Sequence, residues 1–179
     1  MESRERVQIL EDFVSIEDCN ILDGAIAESL RGHKEYKGNR YWKRDLDHPE
    51  IVRLTKKYDA LISETNDEFK DAFMTSAVYN FYSGKEFDEM YVHPDYPSEY
   101  GTLSAVIYPT DLSLYEGGEI HFPALGINLR PSKGTVVIFP QTYMHGVRPV
   151  TSGERCSASL CWASKLGGED ADKVIPYPH

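Results

Sequence analysis

The stretch GTVVIFPQTYMHGVRPVTSGERCSASLCWA, residues 134–163, decides the fold. It breaks into short apolar runs, GTVVIFP (134–140), HGVRPV (145–150) and RCSASLCWA (155–163), separated by Gly, Pro, Ser and charged residues. Runs of this length, rich in Val, Ile, Phe and Trp and bounded by turn residues, are strands. The same texture reaches back to residue 74 through MTSAVYNFY (74–82), TLSAVIYP (102–109), EIHFP (119–123) and INLRP (127–131). Many short strands at regular spacing predict an antiparallel sandwich or barrel such as a jelly roll.

Before residue 73 the pattern is mixed. VQILEDFV (7–14) reads as a strand. Ser15 with Asp18 makes a capping-box-like helix start, followed by apolar Ile21, Leu22, Ala25, Ile26 and Leu30. RYWKR (40–44) reads as a short strand. Asp47, Pro49 and Glu50 then open a second helix with Ile51, Leu54, Tyr58, Leu61, Ile62 and Phe69 along one stripe. The expected architecture is α+β, mainly β. One domain spans residues 1–179, with 1–73 as an α/β support region, 74–163 as the jelly-roll core, and the helices on one outer face.

The bulk numbers narrow the function. A chain of 179 residues is large enough for one core of its own. Its net charge of −10 argues against binding a phosphate backbone, so no nucleic-acid partner is expected. MESRERVQILEDF lacks the apolar run of a signal peptide, and no stretch is long and apolar enough to span a membrane. Cys19, Cys156 and Cys161 are odd in number, and the last two point to opposite faces of one strand. Free thiols fit a reducing interior, so the expectation is a soluble cytoplasmic protein.

The chemistry centres on His93-Pro94-Asp95. In an extended segment residues i and i+2 point the same way, so His93 and Asp95 project side by side. His145, at the start of HGVRPV, is the natural third ligand. Two histidines and a carboxylate on one face form the donor set of non-heme Fe(II) oxygenases, with three positions left open. His48-Pro49-Glu50 has the same His-x-carboxylate form but is better explained as a helix start. Arg155 follows His145 by ten residues and opens the last strand after the turn TSGE (151–154). An arginine pointing into a barrel is costly unless an anion meets it, and a carboxylate answers that need in bidentate fashion.

Taken in order, these residues resemble the 2-oxoglutarate- and Fe(II)-dependent oxygenases, specifically their prolyl 4-hydroxylase-like branch. The resemblance rests on Tyr82-Ser83-Gly84, His93-Pro94-Asp95, the segment Gly117 to Pro123, Phe139-Pro140 with His145-Gly146, and Gly153-Glu154-Arg155 leading to Trp162. It implies a double-stranded β-helix core with His93, Asp95 and His145 as the iron ligands. It further implies that Arg155 meets the distal carboxylate of 2-oxoglutarate, with Tyr82 and Ser157 assisting. Tyr91 shares a face with His93, and it and Trp162 are read as lining the substrate pocket. Fe(II), 2-oxoglutarate and O2 are the implied cofactors, with ascorbate as an accessory reductant. The implied reaction is hydroxylation of an unactivated C–H bond on a prolyl residue of a peptide or protein. A free amino acid or small metabolite is the alternative substrate, and a non-catalytic jelly-roll binding module is the rival from another class.

Overall fold

The computed structural model describes residues 6–32, 40–84, 92–95 and 101–164. Along the chain run β1 (Gln8–Leu10), α1 (Ile16–Leu30), β2 (Arg40–Arg44), α2 (Pro49–Ser63), β3 (Ala72–Ser83) and β4 (Gly101–Tyr108). They are followed by β5 (Tyr115–Gly117), β6 (Ile120–Phe122), β7 (Ile127–Leu129), β8 (Thr135–Pro140), β9 (Gly146–Val147) and β10 (Val150–Ser164). Among the described residues the strands form two antiparallel sheets. The larger has the order β1-β8-β4-β10-β3-β2, with β5 added to the first part of β10, and the smaller has the order β7-β6-β9. Two such sheets with both helices on one side make the double-stranded β-helix core expected from the sequence.

Strand alternation sorts the large sheet into two faces. Leu103, Ala105 and Ile107 of β4, Val136 and Ile138 of β8, and Cys156, Ala158, Leu160 and Trp162 of β10 join the core shared with α1 and α2. Val106 and Tyr108 of β4, with Val137 and Phe139 of β8, turn the other way and pack on Ile120, Phe122 and Leu125 around the small sheet. All six residues of β8 are buried because each face has its own cover. That is why TVVIFP reads as a continuous apolar run rather than an alternating one. The face toward the small sheet is the interior that carries the chemistry.

The helices start where the capping residues predict. The Ser15 hydroxyl accepts from the Asp18 N–H, and Pro49 occupies the first turn of α2. Asp18 also ties the helices together, its Oδ2 accepting from Lys57 Nζ at 2.6 Å and from Tyr58 OH at 2.7 Å.

Four expectations change in detail. The first strand ends at Leu10 rather than Val14, because the chain turns at Glu11-Asp12 with Asp12 at φ +52°. Leu61 is 39 % exposed and leaves the apolar stripe of α2, while Phe69 is buried from a separate 3-10 turn, Asp67–Phe69. HGVRPV is not one strand: β9 covers only Gly146–Val147, and Val150 already belongs to β10. TSGE (151–154) is therefore not a turn but part of β10, pairing with β5. Gly153 makes this possible at φ +74°, since a Cβ there would run into the Leu114 carbonyl.

Candidate metal centre

His93 and His145 lie 52 positions apart in sequence, and the backbone brings them together. His93 N–H donates to His145 O at 2.8 Å and His145 N–H to His93 O at 3.0 Å, an isolated antiparallel bridge. Two residues on, Asp95 N–H donates to Gln141 O at 2.9 Å. Gln141 is itself buried and anchored, its Nε2 donating to the carbonyls of Leu103 at 2.7 Å and Trp162 at 2.8 Å. The His-x-Asp segment is thus laced to the loop after β8, and that loop is pinned to β4 and β10.

The side chains converge as the i, i+2 argument requires. Asp95 Oδ1 lies 3.7 Å from His93 Nε2 and 3.4 Å from His145 Nε2, and the three ligand atoms all fall within 4.8 Å of one another. His145 is buried against Phe139 and Phe122, with ring centroids 4.7 and 5.9 Å away. Its Nδ1 lies 3.0 Å from the Tyr143 carbonyl. A carbonyl can only accept, so Nδ1 carries a proton, which leaves Nε2, the nitrogen facing Asp95, as the one that can serve a metal once it is unprotonated. Burial by itself would push the Asp95 carboxyl upward. The hydrogen bond and charge of His145, the Ser104 hydroxyl and His93 outweigh it and hold the group below the ordinary carboxylate range. Asp95 therefore stays an anionic donor.

A metal fits this set on its chemistry: two imidazole nitrogens and one carboxylate, gathered on the interior face, are the 2-His-1-carboxylate donor set. His48 is not part of it; it caps α2 and lies 3.8 Å from Glu28. His121 on β6 also stays outside, paired across the small sheet with Asn128 and Gly146.

Further along the same face stands Arg155, only 1 % exposed. Among the described residues its Nε, Nη1 and Nη2 are buried without a hydrogen-bond partner, and its Cζ lies over the rings of Tyr82 and Tyr108 at 4.8 and 5.1 Å. Such a guanidinium is a cation held ready for an anion. Gly118 makes room for it. At φ +74° a Cβ there would sit 3.0 Å from Arg155 Cδ and 3.1 Å from Val150 Cγ2. Ser157, two residues on and on the same face, accepts from Asn80 Nδ2 at 3.4 Å.

Two interior residues went unnoticed in the sequence. The Tyr108 hydroxyl is buried with no hydrogen-bond partner among the described residues, beside Arg155. Ser104 Oγ donates to Asp95 Oδ2 at 2.5 Å. Both were legible in principle, since Ser104, Val106 and Tyr108 alternate on one face of TLSAVIYP and a serine inside such a strand needs a partner. Trp162 requires a correction. It does not line the interior: at even spacing from Cys156, Ala158 and Leu160, it shares their face toward the helices. There it packs on Phe69 at 4.8 Å and donates from Nε1 to Asp59 at 3.0 Å. Tyr91 lies outside the described residues.

The chain is similar to known hydroxylases. A "PKHD-type hydroxylase" of Shewanella oneidensis is 35 % identical over 75 residues, which is 41 % of this chain and 34 % of the relative. A second, from Prochlorococcus marinus, is 31 % identical over 123 residues, covering 63 % of this chain and 56 % of the relative. The chain thus spans between about a third and a little over half of these curated relatives. The crystal structure of a viral collagen prolyl hydroxylase from Paramecium Bursaria Chlorella virus-1, in complex with 2OG, shares the fold. Its TM-score is 0.66 at 20 % identity, over 89 % of this chain and 96 % of that one. The family model of the 2OG-Fe(II) oxygenase superfamily matches residues 77–163, a span that holds His93, Asp95, His145 and Arg155 together. Over residues 77–163 this chain is similar to the 2OG-Fe(II) oxygenase superfamily.

Proposed function

We propose that this protein is an Fe(II)- and 2-oxoglutarate-dependent dioxygenase that hydroxylates an unactivated C–H bond, its substrate a prolyl residue of a peptide or protein. The observation that carries the reading is the convergence of His93 Nε2, Asp95 Oδ1 and His145 Nε2 within 4.8 Å on the interior face. These three would hold Fe(II). The partnerless guanidinium of Arg155 would pair with the distal carboxylate of 2-oxoglutarate, with the hydroxyls of Tyr108, Tyr82 and Ser157 as its neighbours. When bound, the metal and co-substrate supply the O2 chemistry that couples conversion of 2-oxoglutarate to succinate and CO2 with insertion of one oxygen atom into the C–H bond.

The protein's own contribution is placement and exclusion. Tyr143 O fixes the His145 tautomer, and Asp95 stays ionised. Val106, Phe122, Val137 and Phe139 form an apolar wall beside the ligands that keeps water away. Arg155 orients the co-substrate along the barrel, which turns an encounter into a fixed geometry. The prolyl assignment draws support from the hydroxylase relatives and from the likeness to the viral collagen prolyl hydroxylase.

The test is anaerobic reconstitution with Fe(II), followed by addition of 2-oxoglutarate and observation of the metal-to-ligand charge-transfer band. Oxygen is then admitted and succinate measured with and without proline-rich peptides. A band together with peptide-stimulated succinate is expected. Absence of both would refute the enzyme reading. Stimulation by free amino acids or small metabolites but not peptides would overturn the prolyl substrate alone.

A further inference from the structure

The Asp95 carboxylate is engaged at both oxygens, and the two engagements differ. Oδ1 faces the imidazoles of His93 and His145. Oδ2 accepts the 2.5 Å hydrogen bond from Ser104 Oγ. Ser104 is fully buried on β4, between β8 and β10, opposite Phe139 on one side and Cys161 on the other. It is the hydroxyl on the interior face of a strand whose neighbours on that face are Val106 and Tyr108. A buried hydroxyl costs free energy unless its proton finds an acceptor, and here the acceptor is an anion. Cys161 Sγ approaches Ser104 Oγ at 3.6 Å. Burial, helped by the charge of Asp95, pushes that thiol up to about 12, so it remains protonated beside the serine.

Resting on the metal-centre reading above, we infer that Ser104 is a positioning residue that selects which oxygen of Asp95 meets the metal. It ties the Asp95 side chain, whose backbone is held by the loop after β8, to the middle of the large sheet. With Oδ2 committed to Ser104, only Oδ1 is free to ligate. A single-oxygen carboxylate with two imidazoles leaves three positions open on a six-coordinate metal. A carboxylate free to turn and bind through both oxygens would occupy one of those three. Ser104 therefore guards the vacancy in the donor set that the co-substrate and O2 share. It does so without touching either.

The experiment uses Co(II), which reports its coordination in the visible spectrum and needs no turnover. Ser104→Thr keeps the hydroxyl, while Ser104→Val has the same size and lacks it. Ser104→Ala removes the hydroxyl without adding bulk, and thermal unfolding of the metal-free forms checks that each folds. The expected result is Co(II) binding by Ser104→Thr close to wild type. Ser104→Val and Ser104→Ala should bind about 10–100-fold more weakly, with a changed visible spectrum. Equal affinity and an identical spectrum for Ser104→Thr and Ser104→Val would overturn the inference, because size rather than the hydroxyl would then set the site. Wild-type affinity and spectrum in Ser104→Ala would overturn it as well. Failure of the wild type itself to bind Co(II) would bring down the metal-centre reading and this inference with it. Binding by wild type with no loss in the variants would remove the role of Ser104 alone.

Discussion

Arg155→Met should make the metal-loaded protein more stable and unable to hold 2-oxoglutarate. Three guanidinium nitrogens of Arg155 are buried without hydrogen bonds among the described residues, and the residue is 1 % exposed. Each buried, unsatisfied donor costs about 1–3 kcal/mol. The offset comes from the faces of Tyr82 and Tyr108 at 4.8 and 5.1 Å, roughly 0.5–2 kcal/mol each as cation–π contacts. Burial pushes the Tyr108 hydroxyl upward, so it supplies no counter-charge at pH 7. Exchanging the cation for an unbranched apolar side chain should therefore gain about 1–4 kcal/mol. At about 2–4 °C per kcal/mol for a chain of this size, the melting temperature rises by at least about 2 °C. Loss of the charge partner of a buried carboxylate costs about 2–5 kcal/mol of binding, or roughly 30- to 5,000-fold in affinity. The assay is a thermal scan under anaerobic Fe(II), with and without 2-oxoglutarate, beside a calorimetric titration. Saturating 2-oxoglutarate should raise the wild-type midpoint by ligand linkage and leave the variant unmoved. A variant that melts lower than wild type, or that still binds 2-oxoglutarate normally, would show that Arg155 is a structural cation and not an anion receptor.

Gly118→Ala adds a Cβ at φ +74°, 3.0 Å from Arg155 Cδ, and should destabilise by about 1–3 kcal/mol in urea while weakening 2-oxoglutarate binding. Unchanged co-substrate affinity would mean the arginine does not depend on that clearance. Trp162→Phe removes the Nε1 hydrogen bond to Asp59 on the helix side of the sheet and should cost about 1–3 kcal/mol by denaturant unfolding. Its metal affinity should match wild type, and a large change would return Trp162 to the site. Asp18→Asn tests the joint between the helices. Burial favours the protonated Asp18 carboxyl, but hydrogen bonds from Lys57 and Tyr58, the Lys57 charge and Ser15 hold it below the ordinary value. A depressed folded-state pKa means stability that is fully present above the unfolded value of about 3.9 and is lost as pH falls through the folded value. Asp18→Asn should therefore be less stable by about 1–3 kcal/mol at pH 7, with the gap closing toward pH 3. A gap that persists in acid would mean that packing, not charge, does the joining.

What the sequence made legible was local and periodic. A spacing of two in His93-Pro94-Asp95 fixes a shared face in any extended chain, and the structure delivers both side chains to one point. The alternation of β10 likewise put Arg155 and Ser157 on one face and separated Cys156 from Cys161. Parity holds for Trp162 as well: six positions after Cys156 and seven after Arg155, it shares the helix face with the first and lies opposite the second. The strand HGVRPV shortened and TSGE became strand because Gly153 adopts a positive φ that the neighbouring Leu114 carbonyl leaves room only for glycine to take.

By itself, then, the sequence determined the strand-rich core, the helix starts at Ser15 and Pro49, and the identity of the residues able to ligate a metal or meet an anion. These follow from backbone periodicity, capping chemistry and side-chain type, all of which act over a few residues. Only the tertiary structure decided that Ser104 reaches Asp95 and that Tyr108 shares the Arg155 pocket. It also decided that Gly118 must stay small and that Trp162 belongs to the helix layer. Each of these depends on the register between strands far apart in the chain. Register is set by the packing of two sheets and two helices at once, not by any one segment.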